Sequence, residues 1–285
     1  WQALFNQFMH PAVSDPQTFN EGYLKNPHPE WGAGPYKVDT FDYNGGTVTF
    51  VPNEKWWGEK PKLDKVTYRQ MESQAIINAF QAGEIDAASV ATKDNLAVAR
   101  QMKDINILGA LQPSNFLLTL NSKTPILEDI KVRQALITGV DRETLAQIRF
   151  NGLDYKENLP GSIFLFQNQE GYQDNFSSVA QYDQDKAKQL LDEAGWAEGG
   201  DGIREKNGEK LKLRYVTFGD DQMIKSSVAG LQKMMKNIGV DMQVEERPNS
   251  DFSRVLAEKD FDLIMSGFTS TDPFGVLYFK QDYAS

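Results

Sequence analysis

The sequence predicts an α/β protein with two sheet-bearing regions, roughly residues 32–111 and 115–267. Three observations predict it. Strand-like runs such as 47–51 and 211–217 alternate with segments whose apolar residues recur at i, i+3 and i+4. Glycines stand where the helical stripes end, at Gly83, Gly139, Gly195 and Gly239. A length of 285 residues with 40% hydrophobic content suffices for one large domain or two modest ones.

Residues 1–31 show little periodicity and are expected to be irregular, apart from a short helix near Ala3–Phe8. Thr47–Val51 has strand composition and follows an Asn44-Gly45-Gly46 turn. Lys65–Gln70 alternates, with Val66 and Tyr68 on one face. Ser73 is placed to cap a helix striped by Ile76, Ile77 and Phe80. Ile85–Val90 then reads as a strand, which would complete a right-handed βαβ unit.

Asn115–Asn121 is a near-continuous apolar run, as expected of a strand buried on both faces. After Pro125, Asp129 caps a helix carrying Val132, Ala135, Leu136 and Val140. Asp141 restarts a helix with Leu145 and Ile148. Beyond a loop containing Pro160-Gly161, Asp183 caps a helix striped by Ala187, Leu190, Leu191 and Ala194. Glu198–Gly208 reads as an exposed loop or hairpin. Leu211–Thr217, with Leu211, Leu213 and Tyr215 inward, precedes a stripe of Ile224, Val228, Leu231, Met235 and Ile238. Alternating Val240, Met242 and Val244 complete a second βαβ unit, and Phe261–Ser266 is a further buried strand. No internal repeat recurs at a fixed period.

Composition excludes several function classes. The net charge of −10 leaves no surplus of Lys and Arg to neutralise phosphates, so no nucleic-acid partner is expected. With no Cys there is no disulfide, thiolate nucleophile or Cys-ligated zinc. No apolar run approaches the ~20 residues of a membrane span. No signal peptide is visible, and the opening WQALFNQFMHP, without an initiator Met, reads as a trimmed start. His10 and His28 are spaced as no helical or turn ligand motif requires, so they read as loop histidines and no metal is expected. The pairs Glu84/Asp86 and Asp192/Glu193 read as solvated surface, since nothing near them would raise a carboxyl pKa. Neither a G-x-S-x-G elbow nor a phosphate loop is present. Trp56 and Trp57, near Phe50 and Tyr68, could stack on a ligand, but at least one is expected to pack at a sheet edge. No catalytic residue and no cofactor is assigned.

Five segments carry a resemblance: GAGPYKV at Gly32–Val38, NEKWWGEKPKLDKVTYR at Asn53–Arg69, AFQAGEID at Ala79–Asp86, NFLLTLNSKTPILEDIKVRQAL at Asn115–Leu136 and YDQDKAKQLLDEAGW at Tyr182–Trp196. In that order they resemble the solute-binding proteins of peptide-type ABC importers, family 5. The resemblance implies a two-lobed periplasmic-binding-protein fold of type II, with mixed sheets, flanking helices and an incomplete first lobe. Residues 1–112 would be part of the first lobe, 113–270 the second, and 271–285 a segment returning toward the first. It further implies a monomeric receptor outside the cytoplasm, periplasmic or lipid-anchored on the outer face. Such a receptor closes on a peptide or other small polar solute and delivers it to a membrane permease. A ligand-sensing domain of a transcriptional regulator and a cleft hydrolase are the alternatives.

In peptide-binding relatives an extended ligand pairs with the strand leaving the second lobe, read as G-W-x-x-D. The matching residues are Gly267, Phe268 and Thr269. The position of the Asp that takes the ligand's ammonium is Thr271 by direct count, with Asp272 one residue later. Either Asp272 assumes that role after a small loop shift, or the ligand lacks a free α-amine. A one-residue shift turns a side chain to the opposite face, which favours the second expectation. As a bland alternative, Asp272-Pro273 is a turn initiator. Asn115 and the loop Gly152–Ser162 are further candidates for the site.

Overall fold

The computed structural model describes residues 9–23, 26–109, 114–162, 165–219 and 222–269; the helix expected near Ala3–Phe8 lies outside them. Two compact units divide the chain between Ser89 and Val90. No helix among the described residues is long and apolar enough to cross a membrane.

The first unit opens with α1 (Pro16–Glu21), capped by Asp15, whose carboxylate accepts the Thr18 N–H at 2.9 Å. A three-stranded antiparallel sheet follows, in the order β1 (Tyr36–Asp42), β2 (Thr47–Pro52), β3 (Val66–Arg69). Gly46, at φ 62°, closes the β1–β2 turn in a backbone region that a side chain would strain. Asn53 explains why the Gly-Pro-Tyr segment and the Trp-Trp-Gly segment occur together. Its amide donates to the Gly34 carbonyl at 2.9 Å, and its backbone N–H donates to the Pro35 carbonyl at 2.9 Å. The Tyr36 hydroxyl donates to the Leu63 carbonyl at 3.1 Å and accepts its N–H at 3.2 Å. Trp56 lies over Gly58 so closely that a Cβ there would meet the ring at 2.6 Å, and its indole donates to the Glu59 carbonyl at 3.0 Å. These motif residues build scaffold.

α2 (Ser73–Gln81) buries Ile77 and Ala79 and is left through Gly83 at φ 71°. Two expectations fail here. The helix begins one residue early, with the extended Glu72 at the cap making no side-chain bond. Ile85–Val90 is not a strand, so the first βαβ unit does not form. An isolated apolar run becomes a strand only beside another strand's free hydrogen-bonding groups, and no described strand runs along it.

The second unit begins with α3 (Lys93–Ala99), capped by Thr92, and β4 (Ser114–Leu120). α4 (Pro125–Glu128), α5 (Ile130–Thr138), α6 (Arg142–Arg149) and α7 (Gln184–Glu193) follow. Asp129, Asp141 and Asp183 cap the last three, accepting backbone N–H groups at 2.8, 3.0 and 2.8 Å. Three short strands, β5 (Ala197–Glu198), β6 (Arg204–Lys206) and β7 (Glu209–Lys210), make a small antiparallel sheet. Next come β8 (Lys212–Phe218), α8 (Gln222–Asn237), β9 (Asp241–Arg247), α9 (Phe252–Glu258) and β10 (Leu263–Thr269). The main sheet runs β4-β10-β8-β9. β8 pairs in parallel with β9, so the second βαβ unit forms as expected.

Helices α5, α7 and α8 cover one face of this sheet. Leu136, Leu191, Leu211, Leu231 and Leu263 are fully buried there, each contributing about 2 kcal/mol of hydrophobic stabilisation. Val216, Val255, Phe261 and Ile264 form a second cluster on the other face. β4 departs from the expected double burial. It is an edge strand of the sheet among the described residues: Leu118 and Leu120 pack on the core while Phe116 is 48% exposed.

Tyr215 is the largest fully buried side chain among the described residues. Burial pushes its phenol up to about 12 from 10.0, although a hydrogen bond from the Met265 backbone stabilises the phenolate. The unfolded chain's phenol therefore ionises first as pH rises. Stability is intact below pH 10 and is lost between pH 10 and 12, by about 3 kcal/mol. Urea unfolding across that window should show the loss in the wild type and a much flatter profile in Tyr215→Phe. Equal profiles would refute this assignment.

Candidate ligand-binding site

β10 is paired unequally along its two sides. It pairs antiparallel with β4 over its whole length, Leu263–Thr269 against Leu120–Ser114. On its other side it pairs with β8 only at Leu263 and Ile264. β8 continues to Phe218 alongside β9 instead. From Met265 to Thr269, then, β10 has a ladder partner on one side only among the described residues. The Tyr215 phenol sits at the Met265 backbone, where the β8 ladder ends. A strand with one open edge offers N–H and C=O groups to another extended backbone.

Gly267 stands opposite Phe116 in the ladder, and a Cβ there would lie 3.4 Å from the Phe116 ring. The Arg149 guanidinium lies over that same ring, 3.5 Å from its centroid. Phe268 and Thr269 pair with Asn115 and Ser114. Asn115 is 5% exposed, and its amide donates to the Ser162 carbonyl at 3.4 Å. Asn115 and Phe116 project to opposite faces of β4, as strand alternation demands. Thr271 and Asp272 lie outside the described residues.

The loop Gly152–Ser162 is tethered rather than free. Arg142 donates to the Pro160 carbonyl and stacks 4.6 Å from the Phe176 ring centroid. Burial pulls this guanidinium down, opposed by the charge of Asp174. The Gly161 N–H donates to the Tyr172 hydroxyl at 2.9 Å, and a Cβ at Gly161 would collide with Asp174. The loop's end is thus fixed beside Asn115.

Glu84 pairs with Arg69 at 3.2 Å. Asp192 pairs with Arg204 at 2.5 Å, and Glu193 pairs with Lys131 at 3.0 Å, whose hydrogen bond holds the Glu193 carboxyl below its ordinary value. His10 and His28 come together on Trp31, yet no group of three metal-ligating side chains occurs among the described residues. Trp57 is 85% exposed and tilts against Trp56, their centroids 4.8 Å apart.

Residues 2–284 match the family described as bacterial extracellular solute-binding proteins, family 5 (middle). The chain belongs to that family. Its fold class is that of the type II periplasmic binding proteins, and the family is one of binding proteins. Among its relatives, the oligopeptide-binding protein OppA of Mycobacterium tuberculosis is 35% identical over 292 residues, covering 100% of this chain and 48% of that protein. The structure of the oligopeptide-binding protein AppA from Bacillus subtilis in complex with a nonapeptide superimposes with a TM-score of 0.72. That match has 26% identity and covers 92% of this chain and 51% of the other. NikZ from Campylobacter jejuni in complex with Ni(L-His) gives 0.71 at 26% identity, over 89% of this chain and 49% of the other. The chain spans about half the length of the curated relatives it matches.

Sequence reasoning missed Arg149 and its stack on Phe116. The available signal was an arginine in the last turn of the α6 amphipathic helix, just before a glycine loop. Only the fold, which brings Arg149 of α6 onto the Phe116 ring of β4, gives that position meaning.

Proposed function

We propose that this chain is the ligand-recognising portion of an extracytoplasmic ABC-importer receptor, and that its ligand is a peptide or another small polar solute. The observation that carries the reading is the open edge of β10 from Met265 to Thr269, in a chain of family 5. A ligand's extended backbone pairs with Gly267–Thr269, Asn115 holds the adjoining loop, and Arg149 on Phe116 supplies a cationic face. Peptide is the leading ligand class, supported by the names of OppA and AppA. In this reading residues 1–112 contribute to one lobe, 113–270 form the other, and 271–285 return to the first. Closure follows from tighter ligand binding to the closed state. The receptor acts as a monomer without catalysis or nucleic acid, and presents its ligand to a membrane permease.

Native mass spectrometry of the full-length protein purified without refolding tests this. A co-purified ladder of peptide masses is the expected result; a homogeneous non-peptide ligand would replace the peptide class. Asp272→Asn resolves the ammonium question. If Asp272 holds the ligand's amine, affinity for free-amine peptides falls by at least about tenfold while N-acetylated peptides are unaffected.

A further inference from the structure

The loop between β2 and β3, residues 53–65, holds two large apolar side chains out in water: Trp57 is 85% exposed and Leu63 is 59% exposed. Tryptophan is highly buried on average, so an indole standing almost wholly in solvent points to a surface it meets. The loop is built to keep it there. At its start the Asn53 amide donates to the Gly34 carbonyl at 2.9 Å, and the Asn53 carbonyl accepts the Trp56 N–H at 3.0 Å. In its middle the Trp56 indole crosses Gly58 to reach the Glu59 carbonyl at 3.0 Å. At its end the Tyr36 hydroxyl bridges the Leu63 N–H and carbonyl, at 3.2 and 3.1 Å. Trp56 closes the loop, and Trp57 tilts against it with ring centroids 4.8 Å apart. Four exposed lysines, Lys55, Lys60, Lys62 and Lys65, stand on the same loop. Of its three carboxylates, Glu54 is engaged by Lys37 at 2.6 Å, which leaves Glu59 and Asp64. The loop is therefore cationic, in a chain whose net charge is −10.

We propose that this loop docks on an anionic phospholipid surface, with the Trp57 indole at the depth of the headgroups and the lysines on the phosphates. An indole joins an apolar body to one N–H donor, and it favours the interface between membrane and water for that reason. Lysine stems can lie along the apolar zone while their ammonium groups reach the phosphates. Each lysine adds an attraction that fades within a Debye length of the surface. The rest of the chain is acidic and is repelled by the same surface, so charge turns this loop toward it. Lysine is depleted at the centres of protein–protein interfaces, and four of them around an exposed indole favour lipid over a protein partner. The inference takes from the proposed function only that the receptor works at the outer face of a membrane.

The test uses the full-length protein with vesicles of phosphatidylcholine alone and of phosphatidylcholine mixed with phosphatidylglycerol. Co-sedimentation at low salt should show binding about tenfold stronger to the mixed vesicles, and added salt should weaken it. Trp57→Ala should lower that binding about tenfold, and Lys60→Gln combined with Lys62→Gln by a similar factor. All three positions are exposed, so these variants do not threaten folding. Brominated lipid should quench the emission of the wild type more than that of Trp57→Phe. Peptides should co-purify equally with every variant, so failure of the lipid contact is told apart from failure of the ligand reading. Equal vesicle binding by the wild type and Trp57→Ala overturns the proposal. So does binding that occurs only when the permease is in the bilayer. A Trp57 that acrylamide does not reach in the lipid-free full-length protein overturns it as well, because another part of the polypeptide then covers the indole.

Discussion

Gly267→Pro is expected to weaken ligand binding on the order of 100-fold while leaving the fold intact. The Asn121 N–H donates to the Asp262 carbonyl at 2.9 Å, so Asp262 turns its carbonyl toward β4 and Leu263 and Met265 turn their backbone groups away from it. Backbone groups along a strand alternate between its two edges, so Gly267 and Thr269 turn theirs to the same open side. Proline there removes a donor that no ladder bond uses, and leaves a ligand carbonyl unpaired in a desolvated site. The lost bond and the orphaned acceptor together amount to about 3 kcal/mol. The ring's Cβ would come within 3.4 Å of Phe116, whose half-exposed ring can yield by the few tenths of an ångström required. Ser266→Pro is the contrasting variant. Its N–H faces β4, so proline should cost stability, about 3 kcal/mol, before it costs affinity. A synthetic peptide pool read by native mass spectrometry measures the first effect and urea unfolding the second. Wild-type affinity in Gly267→Pro would rule out pairing along this edge.

Arg204→Ala carries an equally large expected loss of stability. Arg204 lies in β6, in a stretch whose sequence suggests only an exposed hairpin, yet it is 4% exposed. Its guanidinium donates to the Ile238 carbonyl at 3.1 Å, the Trp196 carbonyl at 2.6 Å and the Asp192 carboxylate at 2.5 Å. These bonds join the end of α7, the end of α8 and the small sheet. Gly239, at φ 86°, is packed against this side chain, and a Cβ there would meet Arg204 at 2.7 Å. Truncation leaves the Ile238 and Trp196 carbonyls without their charged donor. Asp192 is largely solvated and loses little, which keeps the cost near the lower end for a buried pair, about 3 kcal/mol. For a unit of this size that lowers the melting temperature by roughly 6–12 °C. Lysine should not restore it, because an ammonium cannot span the three acceptors in a fixed fork. A shift under about 2 °C by calorimetry would show that water replaces the guanidinium.

The elements that were legible in the sequence are those specified by short-range rules. Asp129, Asp141 and Asp183 begin their helices where their spacing says, because a carboxylate reaches only the N–H groups of the next few residues. The stripe from Ile224 to Ile238 is one face of one helix, and the parallel β8 and β9 follow from the strand runs on either side of it. Ile85–Val90 is not a strand for the converse reason. Its composition suits a strand, but a strand is a relation between two segments, and one segment cannot report the other's absence.

The site divides along the same line. The sequence by itself determined the family, the three aspartate caps, the core stripes and the position of Gly267, because each depends on residue type at fixed spacing. The tertiary structure alone decided that β10 loses β8 after Ile264, that Arg149 lies on Phe116, and that an arginine in a Gly/Asp-rich hairpin is buried. Each of these joins residues far apart along the chain. Their chemistry arises when packing removes water from between them, and no local pattern encodes that.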